Sequence, residues 1–329
     1  MISPSINNNQ DKVHVVSVCD DNYAQHLGVM ITSLFENASK SKHIVVHIVD
    51  VGIKGVNKER LNRIALKYNT GFKFYKDKIN DFSKFEVRRH ITHAAYHKIS
   101  IPDLLDYAIS KVIYLDPDII VKDDIWVLWN VDISDTYLAA VENPKFNRYD
   151  HLNLPRGAKI FNSGVMVINL DKWRNNRIKE KVTDILHEKS AEFFLHDQDG
   201  FNAVLYDHWI ELPPKWNQQY IFHIYPRDIY FIKKDYIAAI KKPSIIHFTS
   251  HSKPWHYVNE HPQKYEYYNY LKLTEWKDYK PYDRNTINII KKNIRPLPRL
   301  FTKKYLLAKM PDRLYNKMLM TYKKLKKVN

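Results

Sequence analysis

The stretch Lys111-Val112-Ile113-Tyr114-Leu115-Asp116-Pro117-Asp118 decides the fold: an apolar strand that stops abruptly in two carboxylates flanking a proline. In a parallel sheet flanked by helices, ligands sit beyond the carboxyl ends of the strands, so Asp116 and Asp118 stand where a binding site is expected. Their i, i+2 spacing in a turn lets both reach one hard cation. Mg²⁺ or Mn²⁺ held this way completes its shell with substrate phosphates and water, or with an imidazole in the case of Mn²⁺. The same spacing also occurs in ordinary turns and caps, so both readings stay open here.

Upstream, short β-rich runs alternate with amphipathic helices. Val13 to Cys19 reads as a buried strand, and Leu27, Met30, Ile31, Leu34 and Phe35 then fall on one face of a helix. His43 to Val51 is a second strand. Asn57 is placed to cap a helix that runs through Tyr68 with Leu61, Ile64, Ala65 and Tyr68 inward, and Gly71 to stop it. Phe72 to Tyr75 is a third strand, and a mixed helical region, Thr92 to Ile109, leads into Lys111. This β-α-β-α-β order predicts an α/β fold with a mostly parallel central sheet and helices on both faces.

Downstream the pattern is less regular. Ile160 to Asn169 contains another buried strand, Asp171 to Lys189 a helix, Gln198 to Tyr206 a shorter one, and Ser244 to Phe248 a late strand. Aromatics and prolines crowd Pro213 to Pro262, which predicts a loop-rich layer over the site. Neither an internal repeat nor a Gly/Ser linker occurs, so one main domain is expected.

Several polar groups are placed to serve that site, each with a bland alternative. His247, ending the late strand, is positioned to add a nitrogen ligand, although a lone histidine is usually structural. His90, His93 and His97 follow an i, i+3, i+7 pattern but lack a carboxylate partner and read as ordinary histidines. Asp20, Asp21 and Asn22 follow the first strand, a place suited to a base or ribose and equally to a helix start. Asp197-Gln198-Asp199 precedes a helix and serves as well for capping. Lys253, in Lys253-Pro254-Trp255-His256, is either a phosphate clamp or a solvated turn lysine. With seven glycines and no Gly-rich phosphate loop, any phosphate must be held by a metal or by side chains. Together these groups point to a nucleotide-diphosphate site.

Charge and cysteine content narrow the classes further. The 329 residues carry 52 Lys+Arg against 36 Asp+Glu, a formal +16. Fourteen of those bases and one acid lie in residues 284–329, which therefore hold +13, leaving about +3 for the body. Within that tail, Leu314, Tyr315, Met318, Leu319, Tyr322 and Leu325 form one helical face. Lys303, Lys304, Lys323, Lys324, Lys326 and Lys327 are assigned to contact with an anionic membrane surface. Docking of the same helix on the body, or a nucleic-acid-binding tail, are the alternatives; no nucleic-acid-binding motif accompanies it. Cys19 is the single cysteine and excludes an intramolecular disulfide framework or a cysteine-rich zinc site. Residues 1–12 are polar and expected to be disordered, and Met1 to Gln10 has no secretory signal pattern. No apolar run approaches the ~20 residues of a spanning helix.

Six motifs, in order, resemble those of glycosyltransferase family 8: Cys19 to Ala24, Tyr114 to Asp118, Phe161-Asn162-Ser163-Gly164-Val165, Asn169 to Trp173, Asp197 to Asp199 and His247 to Trp255. The likeness is closest to bacterial galactosyl- and glucosyltransferases of lipopolysaccharide or lipooligosaccharide synthesis. It runs in order over about residues 13–257 and implies a GT-A fold, with residues 13–283 taken as the catalytic domain, and retaining transfer of a hexose, galactose or glucose, from a UDP-hexose donor to a saccharide or glycolipid acceptor. It also implies Mn²⁺ dependence, with Mg²⁺ as the alternative cation. Carried over motif by motif, Asp116, Asp118 and His247 would bind the metal, and Asp20 and Asn22 the uridine. Lys98, Asn162 and Ser163 would line the donor, Asp197 would bond sugar hydroxyls, and Gln198 would lie beneath the anomeric carbon. Lys253 would hold the diphosphate, and the backbone at Ser250, where the family often has glycine, would approach it. The resemblance also implies that the tail holds the enzyme peripherally on the cytoplasmic face of the cell membrane. The alternatives to transfer are a polyanion-binding protein and a nucleotide-sugar hydrolase or inactive donor binder on the same fold.

Overall fold

A computed structural model describes residues 12–77, 93–144, 149–189, 197–224 and 233–294. Seven strands form the main sheet: β1 (Val13–Cys19), β2 (Ile44–Asp50), β3 (Phe72–Tyr75), β4 (Lys111–Leu115), β6 (Leu138–Glu142), β7 (Phe161–Asn169) and β8 (Trp209–Glu211), in the order β3-β2-β1-β4-β7-β6-β8. Four neighbouring pairs are parallel, as expected; β7 runs antiparallel to both β4 and β6. A small second sheet joins β5 (Ile119–Val121), β9 (Gln218–Gln219) and β10 (Ile245–His247) in the order β5-β10-β9.

The central strands are apolar throughout because both of their faces are covered. With the strand period of two, Val13, Val15, Ile113, Leu115, Val165 and Val167 enter one core. Val16, Val18, Val112, Tyr114, Met166 and Ile168 enter the other, under the helices that follow β7. The helix Ala24–Asn37 lies in the first core and was expected to bury one face. It buries Val29, Thr32 and Ser33 as well, because the small sheet and the helix Lys264–Leu271 cover its other side. Gly28 permits this: a Cβ there would come 2.6 Å from Trp276 Cζ3.

Local boundaries differ from the sequence expectation where a distant group supplies the cap. The helix Gly55–Lys67 begins two residues before Asn57. Asp21, from the turn after β1, accepts from Lys54 N–H (2.9 Å) and from Asn57 Nδ2 (2.8 Å) at its start. Its end is turned by Asn69 at φ 51° rather than by Gly71. The single helix expected over 171–189 is two, Leu170–Asn175 and Ile178–Lys189, separated by Arg177 at φ 53°. β10 is the expected late strand, but the aromatic and proline-rich layer from 213 onward is more regular than loops, since it also carries β9 and the helix Lys233–Lys241. The last described helix is Thr286–Ile294. The apolar tail face from Leu314 and the lysines assigned to a membrane (Lys303, Lys304, Lys323, Lys324, Lys326, Lys327) lie outside the described residues, as do residues 1–11 and His90.

Candidate active site

β4 ends at Leu115 in the main sheet and β5 starts at Ile119 in the small one, so Asp116, Pro117 and Asp118 bridge the two sheets. Backbone bonds pin the bridge: Asp116 N–H donates to Gly164 O on β7 (2.9 Å), and Phe248 N–H donates to Asp118 O (3.1 Å). Both carboxylates thereby face His247 at the end of β10. Its Nε2 is 3.7 Å from Asp116 Oδ2 and 3.3 Å from Asp118 Oδ1. One ligand atom from each of the three lies within 4.8 Å of the others, the only such cluster among the described residues. His97, from the histidine triple, instead pairs with Asp77 (2.8 Å).

Two observations make this donor set fit a divalent cation. His247 Nδ1 sits 2.9 Å from Asn217 Oδ1, so the ring donates there and keeps the Nε2 lone pair toward the carboxylates. Gly164 leaves room for them: a Cβ at that position would fall 2.2 Å from His247 Cε1 and 2.6 Å from Asp116 Oδ2.

Two buried ammonium groups flank the cluster. Lys253 Nζ contacts Asp118 Oδ2 (2.6 Å) and donates to Phe248 O (2.7 Å). Burial works against the charged form of Asp118, but the Lys253 ammonium outweighs it and holds the carboxyl well below the usual carboxylate range. Lys98 Nζ lies 2.8 Å from Asp197 Oδ2 and 3.3 Å from Asp116 Oδ1, above the ring of Tyr114, whose hydroxyl donates to Asp116 Oδ1 (2.6 Å). Burial opposes the charge on Lys98, yet Asp116 and Asp197 raise its pKa above that of an ordinary lysine. Burial pushes Asp197 upward, and Lys98 offsets this only in part.

Replacing Lys98 with Met is therefore expected to destabilise the fold by about 3–5 kcal/mol near neutral pH, because a buried carboxylate loses its cation. Asp197, already raised, would rise further. A group whose folded pKa exceeds its unfolded value favours folding below the unfolded pKa and loses that contribution as pH rises through the folded one. Urea unfolding at about pH 5 and about pH 8 checks this. The deficit relative to wild type should be smaller at the lower pH, and equal deficits would rule the pairing out as the cause.

The same residues line one cavity of about 790 Å³, together with Asp20, Tyr23, Asn162, Ser163, Gln198, Thr249, Ser250 and His251. Asp20, with its pKa raised chiefly by burial, accepts from Tyr23 N–H (3.0 Å) and thereby turns the chain into the first helix. Asn22 is exposed on that turn and is not part of the lining; Tyr23 takes its place. Asp197, Gln198 and Asp199 are not capping residues outside a helix but the buried first turn of Asp197–Leu205.

Sequence comparison bears directly on this arrangement. The profile of glycosyl transferase family 8 matches residues 14–259, a span that holds every cavity residue named above. The chain belongs to glycosyltransferase family 8. Among similar proteins, General stress protein A of Bacillus subtilis is 40% identical over 270 residues, covering 80% of this chain and 94% of that protein. A lipopolysaccharide 1,2-glucosyltransferase of Escherichia coli is 27% identical over 298 residues, covering 88% and 86%. The crystal structure of galactosyltransferase LgtC superposes with a TM-score of 0.73 at 22% identity over 80% of this chain and 96% of that one, which establishes the GT-A fold.

Besides Tyr23, two residues of this family 8 site received no role from the sequence. Gly164 sits inside a buried strand of a chain with only seven glycines, and a strand glycine is itself a sign of close approach by another group. Asn217 carried no such sign, since its contact exists only because β9 pairs with β10.

Proposed function

We propose that this glycosyltransferase moves galactose or glucose from a UDP-hexose to a saccharide acceptor of a cell-surface glycan, lipopolysaccharide or lipooligosaccharide, with retention of anomeric configuration. The observation that carries this reading is the Asp116–Asp118–His247 cluster at the junction of the two sheets, opening into the same cavity as Lys253 and Gln198. In a chain without a Gly-rich loop, those groups are what can take a diphosphate. The two carboxylates and the imidazole would hold Mn²⁺, with Mg²⁺ less suited to the nitrogen ligand. When bound, the cation would neutralise charge that develops on the departing UDP.

The chain's own residues supply the rest. Lys253 is placed beside Asp118 to donate to the diphosphate, and a bound cation would loosen that ion pair by sharing the carboxylate's charge. Asp20 and Tyr23 receive the uridine, and Asn22, exposed beside them, would reach it only from the rim. Ser250 approaches the diphosphate through its backbone, and Asn162 and Ser163 line the donor. Asp197, held by Lys98 and Ser163, orients sugar hydroxyls. Retention follows from attack on the same face as the leaving group. The bond from the anomeric carbon to the UDP oxygen breaks with its electron pair going to UDP. The acceptor oxygen bonds that carbon, and its proton passes to a phosphate oxygen of UDP.

Incubation with a panel of UDP-sugars, Mn²⁺ and a saccharide acceptor tests this. UDP release with one hexose donor and an α-linked product is expected, and no release with any UDP-hexose overturns it. Hydrolysis that no acceptor redirects would mark a nucleotide-sugar hydrolase instead.

The +13 of residues 284–329 supports peripheral association with the cytoplasmic membrane face. No helix of the described residues is long and apolar enough to cross a membrane. Deleting residues 295–329 is expected to lower binding to vesicles containing anionic lipid at least about tenfold while soluble-acceptor turnover persists. Undiminished vesicle binding sinks the assignment.

A further inference from the structure

The side-chain amides around Gln198 are locked in one orientation by backbone donors. Gly164 N–H donates to Asn162 Oδ1 (3.1 Å), so the opposite end of that amide is Nδ2, which donates to Gln198 Oε1 (3.0 Å). Ser163 N–H donates to the same Gln198 oxygen (3.2 Å) and fixes its identity independently. Asn217 Nδ2 donates to Asn162 Oδ1 (2.8 Å), which turns Asn217 Oδ1 toward His247 Nδ1 (2.9 Å). A backbone N–H can only donate, so reversing Asn162 or Gln198 sets a donor against a donor, and reversing Asn217 then sets its oxygen against Asn162 Oδ1. The result is one directed chain: His247 donates to Asn217, Asn217 to Asn162, and Asn162 to Gln198.

Its two ends have definite chemistry. At one end His247 must carry its proton on Nδ1, leaving Nε2 free as a ligand. At the other, Gln198 Oε1 is engaged by two donors, whereas Gln198 Nε2 is buried without a hydrogen-bond partner among the described residues. Asn217 itself is fully buried.

We propose that Asn217 is a positioning residue that sets the His247 tautomer and, through Asn162, makes Gln198 offer its amide N–H groups, not its oxygen, to the donor sugar. Gln198 then serves as a hydrogen-bond donor to a sugar or acceptor oxygen and not as a nucleophile through Oε1. This deepens the transferase reading above and rests on it.

Asn217→Asp and Asn217→Ala separate the two ends. A carboxylate at this position still accepts from His247 Nδ1 but has no N–H for Asn162, whereas alanine serves neither neighbour. Mn²⁺ affinity, measured by titration of the protein without donor, is expected to fall about 10–100-fold in Asn217→Ala and to stay near wild type in Asn217→Asp. The kcat at saturating Mn²⁺ should fall at least about tenfold in both, and Asn217→Asp combined with Gln198→Ala should lose little more than Gln198→Ala alone. Wild-type kcat in Asn217→Asp, unchanged Mn²⁺ affinity in Asn217→Ala, or fully additive losses would each overturn the proposal. If wild type neither binds Mn²⁺ nor releases UDP, the transferase reading itself has failed.

Discussion

Asp118→Asn is expected to reduce sugar transfer at least about a thousandfold, read as UDP release without excess metal. No other carboxylate in the cavity combines its contacts, 3.3 Å from His247 Nε2 and 2.6 Å from Lys253 Nζ. The amide that replaces it is a weak metal ligand, and its N–H₂ end repels the lysine. Stability should fall as well, because Lys253, only 5% exposed, keeps Phe248 O but loses its anion; a broken buried pair costs about 3–5 kcal/mol. That second effect has a pH signature. The Asp118 carboxyl is depressed in the folded state, so its contribution is complete above the unfolded carboxylate pKa and is lost as pH falls toward the folded one. The stability gap between wild type and variant should therefore be flat above about pH 5 and shrink below about pH 4.

Asp116→Asn separates the two effects. Asp116 accepts from Tyr114 and Lys98, and Lys98 retains Asp197 when Asp116 is neutralised. Transfer should fall as steeply as in Asp118→Asn, with a smaller loss in urea midpoint. A folded variant at either position that keeps more than about a tenth of wild-type activity would remove the metal assignment.

Much of this site was legible because its carriers are local. An apolar strand ending in Asp116-Pro117-Asp118 announces both its burial and its exit, and the charge imbalance of residues 284–329 needs only counting. What stayed hidden depends on pairings between distant segments. A continuous apolar run tells that a strand is covered on both faces, but not which neighbour it takes or in which direction, so the antiparallel placement of β7 was unread. The three residues of β5 are too few to display a period, yet their departure into a second sheet is what stretches Asp116 to Asp118 across the junction. Helix limits failed similarly: Asp21 reaches across from the β1 turn to cap a helix whose own sequence offered Asn57. The position of Asn22 also escaped, since the residue that turns inward after β1 is Tyr23.

The second large effect is expected at Gly164→Ala, a change of one methyl group with no charge or hydrogen bond removed. The added Cβ would stand 2.2 Å from His247 Cε1, 2.9 Å from His247 Nδ1 and 2.6 Å from Asp116 Oδ2, all far inside van der Waals contact. The backbone of Gly164 has little freedom to retreat, because it lies in β7 and its carbonyl accepts from Asp116 N–H. Nor can the imidazole simply swing aside, since its Nδ1 is tied to Asn217 and both groups are buried. Relief must come from displacing the very atoms proposed as ligands. Mn²⁺ affinity and kcat should each fall at least about a hundredfold, with about 1–3 kcal/mol of stability lost to overpacking. Gly200→Ala is the matched control. Its Cβ would approach Leu186 and Val182 at 3.2 Å, apolar side chains that do not line the cavity, so modest stability changes and normal metal binding are expected. If Gly164→Ala binds Mn²⁺ as tightly as Gly200→Ala does, the ring and carboxylate do not close over Gly164 in the working enzyme, and the proposed coordination geometry is wrong.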